Sequence, residues 1–412
     1  MNTQTRDAYR ILSLDGGGSW ALIQTIALAD LYGLHTPGHT LLRHFDLAIA
    51  NSGGSIVLAG LLLNLSPLAL FRLFDEAQNR QRLFQPRWLH LPGLRKYRTA
   101  AKLNGLEDIL TEAGRAAGLD ASAPLSDIVS ASGLATDLVI CGFDYDRKRA
   151  RFIRSNRASL ASGSGGGLGS KISLIQAVHA SSTAPVKFFD DPALMRVDGQ
   201  ITRFWDGAIG GHNNPVMAGV VEALANHPEQ RGAIRALSLG TGSVSLPPGN
   251  ERTDPGLLTD LALLAEAILD DPPEAASFVA HVMLGGRLPA TPEQVSDGPV
   301  VRLSPLIQPV NPTGQDNGWQ IPAGLEHDFD ALTTLELDAV SQEDVNRIKK
   351  LTALWLQGQV RNQAIRADGH SLDCQIGHST YPEAAARWGE NDHLGAYPNP
   401  DNTLKIMEFL HA

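Results

Sequence analysis

Three short, glycine-bearing segments carry the residues whose types and spacing could do chemistry. The first is Asp15-Gly16-Gly17-Gly18. It follows a strand-like run, Arg10-Ile11-Leu12-Ser13-Leu14, and precedes an apolar-periodic stretch, Trp20 to Tyr32, that predicts a helix. Successive glycines let backbone N–H groups approach a ligand with no Cβ in the way. At a helix N-terminus those donors suit an anion, either a phosphate or the oxyanion of a tetrahedral intermediate. Gly16-x-Gly18-x-x-Ala21 also fits a loose dinucleotide fingerprint, but that needs an acidic residue at the end of the second strand, and Asp46 stands near its start.

The second segment is Ala50-Asn51-Ser52-Gly53-Gly54, a sharp strand-to-helix turn with Ser52 at its apex. Small residues two positions either side match the nucleophile elbow G-x-S-x-G, with alanine in the first place. Taken alone, such a run favours a helix N-cap serine. The third segment is Asp206-Gly207-Ala208, after the aromatic strand end Phe204-Trp205. A carboxylate there could accept a serine proton as general base. Taken alone, Asp-Gly is a turn.

These residues need strands that stop at glycine turns. Strand, turn and helix alternate twice in the first 65 residues, which predicts α/β architecture with a largely parallel sheet. Asp137 to Phe143 reads as a third strand, with Arg149 to Arg154 as its hairpin partner. Leu174 to Ser182 reads as a helix, and Ile234 to Leu239 as a buried strand running into Gly240-Thr241-Gly242. Ala161 to Ser170 is a Gly/Ser run that predicts a loop, serving as a lid or as a plain linker. Beyond the boundary signal Pro247-Pro248-Gly249-Asn250 the pattern turns helical, at Gly256 to Leu269, Glu274 to Leu284 and Ser341 to Leu356. Residues 361–412 are polar and weakly periodic.

Composition bounds the rest. With 43% hydrophobic and 19% charged residues, the 412-residue chain can bury a sizeable core. Its net charge of −10 argues against a general nucleic-acid binder. That average hides the stretch Arg80 to Lys102, which has seven basic and no acidic residues with aromatics interleaved. Arg80, Arg82, Trp88, Arg95 and Lys96 are therefore candidates for contact with an anionic membrane; a solvated helical face with buried stems is the competing reading. Cys141 and Cys374 form no metal or disulfide pattern, which suits a reducing, cytoplasmic compartment. The polar N-terminus carries no secretory signal, and Ile56 to Leu63 is too short to span a bilayer. With no HExxH, Walker A or EF-hand pattern, neither a metal nor a cofactor is expected. None of the 13 histidines sits in a recognisable motif.

Together, the glycine loop, serine elbow and Asp-Gly-Ala, with Gly210-Gly211-x-Asn213-Asn214-Pro215 just after, resemble the patatin-like phospholipase family of bacterial type. Ala180 to Pro185 with Phe188-Phe189, and Leu237 to Gly242, add to the match, as does Val301 to Pro305 less specifically. The resemblance implies a three-layer α/β/α fold around a mainly parallel sheet. It would span 8–358, with core motifs over 8–245, a helical part over 246–358, and an extension of unknown role over 359–412. It implies Ser52 as nucleophile, Asp206 as base, Gly16, Gly17 and Gly18 as the oxyanion hole, Gly53 and Gly54 as elbow support, and a phospholipid or other lipid ester as substrate. A second expectation is a patatin-fold regulatory or binding protein with latent, ligand-gated or lost lipase activity. Two departures stand out: Ser19-Trp20-Ala21 replaces the family's x-R-G, and Ala50 replaces the elbow glycine.

Overall fold

The computed structural model describes residues 8–412 except 87–94, 157–170, 198, 247–273, 290, 292, 314, 316–317, 367–373, 393–399 and 412. The Gly/Ser run and the expected helix Gly256 to Leu269 lie outside the described residues.

The elements that position the site run in the expected order. They are β1 (Tyr9–Leu14), α1 (Leu22–Tyr32), β2 (Leu47–Ala50), α2 (Ser52–Leu62), α3 (Thr99–Ala117), β3 (Asp137–Asp144), β4 (Arg149–Arg154) and α4 (Leu174–Ser181). There follow β5 (Ala193–Val197), β6 (Gln200–Asp206), α5 (Val216–Asn226), β7 (Ile234–Leu239), β8 (Val300–Leu303), α6 (Gln342–Leu356), α7 (Tyr381–Asp392) and α8 (Pro400–His411). The main sheet has the order β8-β7-β1-β2-β3-β6-β5, with β4 on the other edge of β3. β8, β7, β1, β2 and β3 are mutually parallel; β4, β6 and β5 are antiparallel additions.

The parallel strands are buried on both faces, so they read as apolar runs and not as alternating ones. Leu12, Leu14, Ala48, Ala50, Leu237 and Leu239 face a large core shared with α1, α2 and α6. Ile11, Leu47, Ile49, Ile234 and Ala236 face the opposite core, with Val216, Val220 and Ala223 of α5. Helices therefore cover both faces of a mostly parallel sheet, as the α/β reading expects.

The C-terminal stretch that looked weakly periodic contains two helices. Tyr381 and Trp388 of α7 are fully buried. The Trp388 ring stacks on Phe45, and the Tyr381 hydroxyl donates to Asp30 at 2.7 Å. At the end of α7, Asp392 accepts from Tyr32 at 2.9 Å and pairs with His44 at 3.0 Å. The inward face of α7 is built from two aromatics, two alanines, a glycine and an aspartate. That mixture hides an inward stripe from a hydrophobicity count.

Candidate active site

Two strands meet end to end along one edge of β3. β2 runs parallel to β3 and ends with Ala50 opposite Ile140. β6 runs the other way and ends with Asp206 opposite Gly142. A single residue of β3, Cys141, lies between these two positions, and this brings Asn51, Ser52 and Asp206 together.

Ser52 opens α2 with φ 49°, in the left-handed region. For an L-residue this conformation costs about 1–2 kcal/mol. Its neighbours over-determine it. The Ser52 N–H donates to Ser181 Oγ at 2.9 Å. Gly53 and Gly54 let α2 start in contact with the end of β1. A Cβ on Gly54 would sit 2.6 Å from the carbonyl oxygens of Leu14 and Asp15, and one on Gly53 only 2.5 Å from the Gly18 carbonyl. The sequence therefore needs no side chain at either position. Ala50 is fully buried and fits where the family has glycine.

Asp206 is 3% exposed. Its Oδ1 accepts from Asn51 Nδ2 and from the Ala208 N–H, both at 2.9 Å, and the Ser52 side chain lies near enough to the carboxylate to lower its pKa. Burial pushes its pKa above the ordinary carboxylate range. Ser52, the bonds from Ala208 and Asn51 and the charge of Lys102 pull the other way. A hydroxyl beside such a carboxylate can give up its proton as it attacks an electrophile. No histidine hydrogen-bonds to either group among the described residues; His212 packs its ring against Phe152 instead.

The glycine loop lies beside Ser52. Gly18 has φ 55°, and a Cβ there would meet the Leu337 carbonyl at 2.3 Å. Among the described residues, the N–H groups of Gly17 and Gly18 have no hydrogen-bond partner. Gly16 differs from expectation: its N–H donates to the Asn213 carbonyl at 2.8 Å, so it is committed to holding the loop and is not a free oxyanion donor. Its own carbonyl accepts from Thr241 Oγ1 at 2.6 Å. Asp15, at the head of the loop, is ion-paired with Arg302 of β8 at 2.7 Å, both side chains being 3% exposed. Burial pushes the Asp15 pKa up to about 6 even with Arg302 beside it. Arg302 also donates to Ser238 Oγ at 2.8 Å and to Gln363 Oε1. The loop is thus fixed from beneath.

Where the family carries arginine, Trp20 donates through Nε1 to the Glu336 carbonyl at 3.1 Å, and the Ser19 N–H donates to the Leu337 carbonyl at 2.9 Å. The departure ties the loop to residues 336–337. Leu337 joins Ile56, Leu83, Phe84, Phe188 and Phe189 in an apolar lining above Ser52. The cavity offers only about 30 Å³, room for one or two waters.

The residues expected at a membrane surface separate. Arg80 is a correction: it is 1% exposed, and its guanidinium donates to the carbonyls of Phe74 (2.8 Å), Asp75 and Val340 (3.0 Å) and to Gln342 Oε1 (2.9 Å). A five-donor fork suits a cluster of buried carbonyls better than open solvent does. Lys96 is half-buried and paired with Glu336 and Asp338, and Arg95 donates to the Asp190 carbonyl below Trp205. Arg82 is half-buried, and Trp88 lies outside the described residues. Arg80→Ala should destabilise the fold by about 2–4 kcal/mol, because buried acceptors lose their donor. A melting curve and a vesicle-binding assay check this; a stable Arg80→Ala protein with weakened vesicle binding would restore the surface role.

Sequence reading did not find Asn51, Ser181, Lys102 and Arg302. A charged residue inside the apolar run Val300–Leu303 was the available signal for the last, since a buried charge requires a partner.

A family model described as patatin-like phospholipase matches residues 12–220, just over half of the chain. Among solved structures, the chain is similar to VipD from Legionella pneumophila at 11% identity and a TM-score of 0.36, covering 98% of this chain and 80% of that one. It is also similar to a chain in the complex of full-length SpcU with full-length ExoU from the type III secretion system of Pseudomonas aeruginosa. There the identity is 18% and the TM-score 0.26, over 44% of this chain and 39% of that one. No curated protein matches.

Proposed function

The chain belongs to the patatin-like phospholipase family, and from that premise we propose that it is a lipid acyl hydrolase cleaving carboxylic esters through Ser52 and Asp206. One observation carries the reading: Ser52, held at φ 49°, stands beside the buried Asp206 carboxylate and the Gly17 and Gly18 amides, which have no hydrogen-bond partner among the described residues. Asp206 takes the hydroxyl proton while Ser52 Oγ attacks the ester carbonyl. The Gly17 and Gly18 N–H groups receive the oxyanion, each such donor lowering the barrier by about 2.7–4 kcal/mol. Collapse expels the alcohol and leaves an acyl-enzyme, which water hydrolyses. The apolar lining suits an acyl chain. Peripheral contact with an anionic membrane from a cytoplasmic location belongs to the proposal, with Arg82 and the exposed Arg98 as cations outside the core. Fatty-acid release from mixed phospholipid vesicles tests it: release should depend on Ser52, and equal release by wild type and Ser52→Ala would remove the reading.

The small cavity favours a latent, gated version of the same enzyme. With the Leu337 carbonyl against the glycine loop and Leu337 among the lining residues, movement of this segment would widen the entry. Leu337→Ala should raise turnover of a short-chain ester several-fold. Unchanged turnover would show that this side chain does not limit entry.

A further inference from the structure

Lys102 lines the cavity beside Ser52, and the mechanism above does not use it. It projects from α3 and is 3% exposed. Its ammonium donates to three oxygens: the His179 carbonyl at 3.1 Å, Ser182 Oγ at 3.1 Å and Thr183 Oγ1 at 2.6 Å. Both hydroxyls already spend their own hydrogens, Ser182 on the Val178 carbonyl at 2.7 Å and Thr183 on the His179 carbonyl at 2.5 Å. Each can therefore only accept from Lys102. Three acceptors require three N–H donors, which an ammonium has and a neutral amine lacks. The pattern holds Lys102 charged, although burial drives its pKa well down; the Asp206 carboxylate pulls it back up. The Phe189 ring, 4.5 Å from Nζ, closes the remaining side of the cation.

The turn that Lys102 grips touches both reacting residues. Ser181 Oγ accepts the Ser52 N–H at 2.9 Å, and the Thr183 carbonyl accepts the Asp206 N–H at 2.9 Å. We propose that Lys102 is the positioning residue of the Ser52–Asp206 pair: it pins the 181–183 turn that holds both backbones, and its buried charge favours the ionised Asp206 carboxylate from beyond ion-pair distance. With all three donors engaged inside the protein, it is not a ligand for a substrate phosphate. The inference rests on Ser52 and Asp206 being the reacting pair.

The groups facing this charge pair are few. Asn51, Ser52, the Ala208 amide and Cys141 of β3 surround Asp206, and His179 of α4 lies beside Lys102. Burial raises the Cys141 thiol, and burial with the Lys102 charge lowers His179 well below its usual value. Asp206 accepts the Ser52 proton only when ionised, so the reaction slows as pH falls through its pKa. Removing a nearby positive charge makes ionisation harder and moves that limb to higher pH.

The test is the rate at which a fluorophosphonate modifies Ser52, followed against pH in wild type, Lys102→Met, Lys102→Gln and Lys102→Arg, with a melting curve for each. Lys102→Met and Lys102→Gln should shift the acid limb upward by about one pH unit, a tenfold slowing at fixed pH on the limb. Lys102→Arg should return the limb toward wild type with a lower plateau, because charge is restored but not shape. If Lys102→Met does not fold, Lys102→Gln, which keeps polar contacts, carries the comparison. A folded neutral variant whose limb coincides with wild type overturns the role of Lys102 alone. A wild type that is never modified at Ser52 overturns the Ser52–Asp206 reading, and this inference with it.

Discussion

Ser52→Ala should lower ester hydrolysis by about 10³-fold or more, because it removes the hydroxyl proposed to form the acyl-enzyme. Ser55, the neighbouring serine, is no substitute: its hydroxyl donates to the Ser52 carbonyl at 2.6 Å, inside the first turn of α2 and away from Asp206. The fold should survive, since Ser52 makes its main structural bond through its backbone N–H to Ser181. Comparison with Ser52→Gly separates strain from chemistry. Alanine keeps the Cβ penalty at φ 49°, whereas glycine does not. Ser52→Gly should therefore be equally inactive but more stable than Ser52→Ala by about 1 kcal/mol. Initial rates on a lipid ester and two melting curves decide it; an alanine variant that keeps more than a tenth of wild-type turnover would remove Ser52 from the chemistry.

Asp206→Asn should cost about 10²–10⁴-fold, the usual range for losing a general base. The carboxamide can still bond to Asn51 and Ala208, so the loss is in proton transfer more than in geometry. The pH dependence should change with it. In wild type, activity falls toward acid as Asp206 protonates, and burial places that fall above the ordinary carboxylate range. In Asp206→Asn that limb should vanish, leaving a low rate that is flat through the same range. An unchanged limb in Asp206→Asn would assign the titration, and the base, to another group.

Much of the site was legible because its chemistry is local. The glycines at 16–18, 53 and 54, Ser52 at a strand-to-helix turn, and Asp206 after an aromatic strand each announce themselves within a few residues. What failed was non-local. Gly16 looks like Gly17 and Gly18 in sequence, yet Asn213, almost 200 positions away, takes its amide. Arg80 looks like its basic neighbours, but it reaches α6 and the carbonyls before it, which no charge count registers. The pair Asp15–Arg302 spans more than two thirds of the chain and replaces, as anchor of the glycine loop, what a family arginine at position 20 would suggest. The strands were legible for the same reason as the motifs: five of them are buried on both faces and read as predominantly apolar runs. α7 was not, because its inward face mixes Trp388 and Tyr381 with alanine and a paired aspartate.

Ser52 is proposed as a nucleophile activated by Asp206. The most direct measurement is fluorophosphonate labelling of the full chain, with and without phospholipid vesicles, followed by peptide mass spectrometry. The account predicts a single adduct on Ser52, strongly slowed in Asp206→Asn and absent in Ser52→Ala. No adduct on Ser52 under either condition, or an adduct on a different serine with hydrolysis intact in Ser52→Ala, would contradict it.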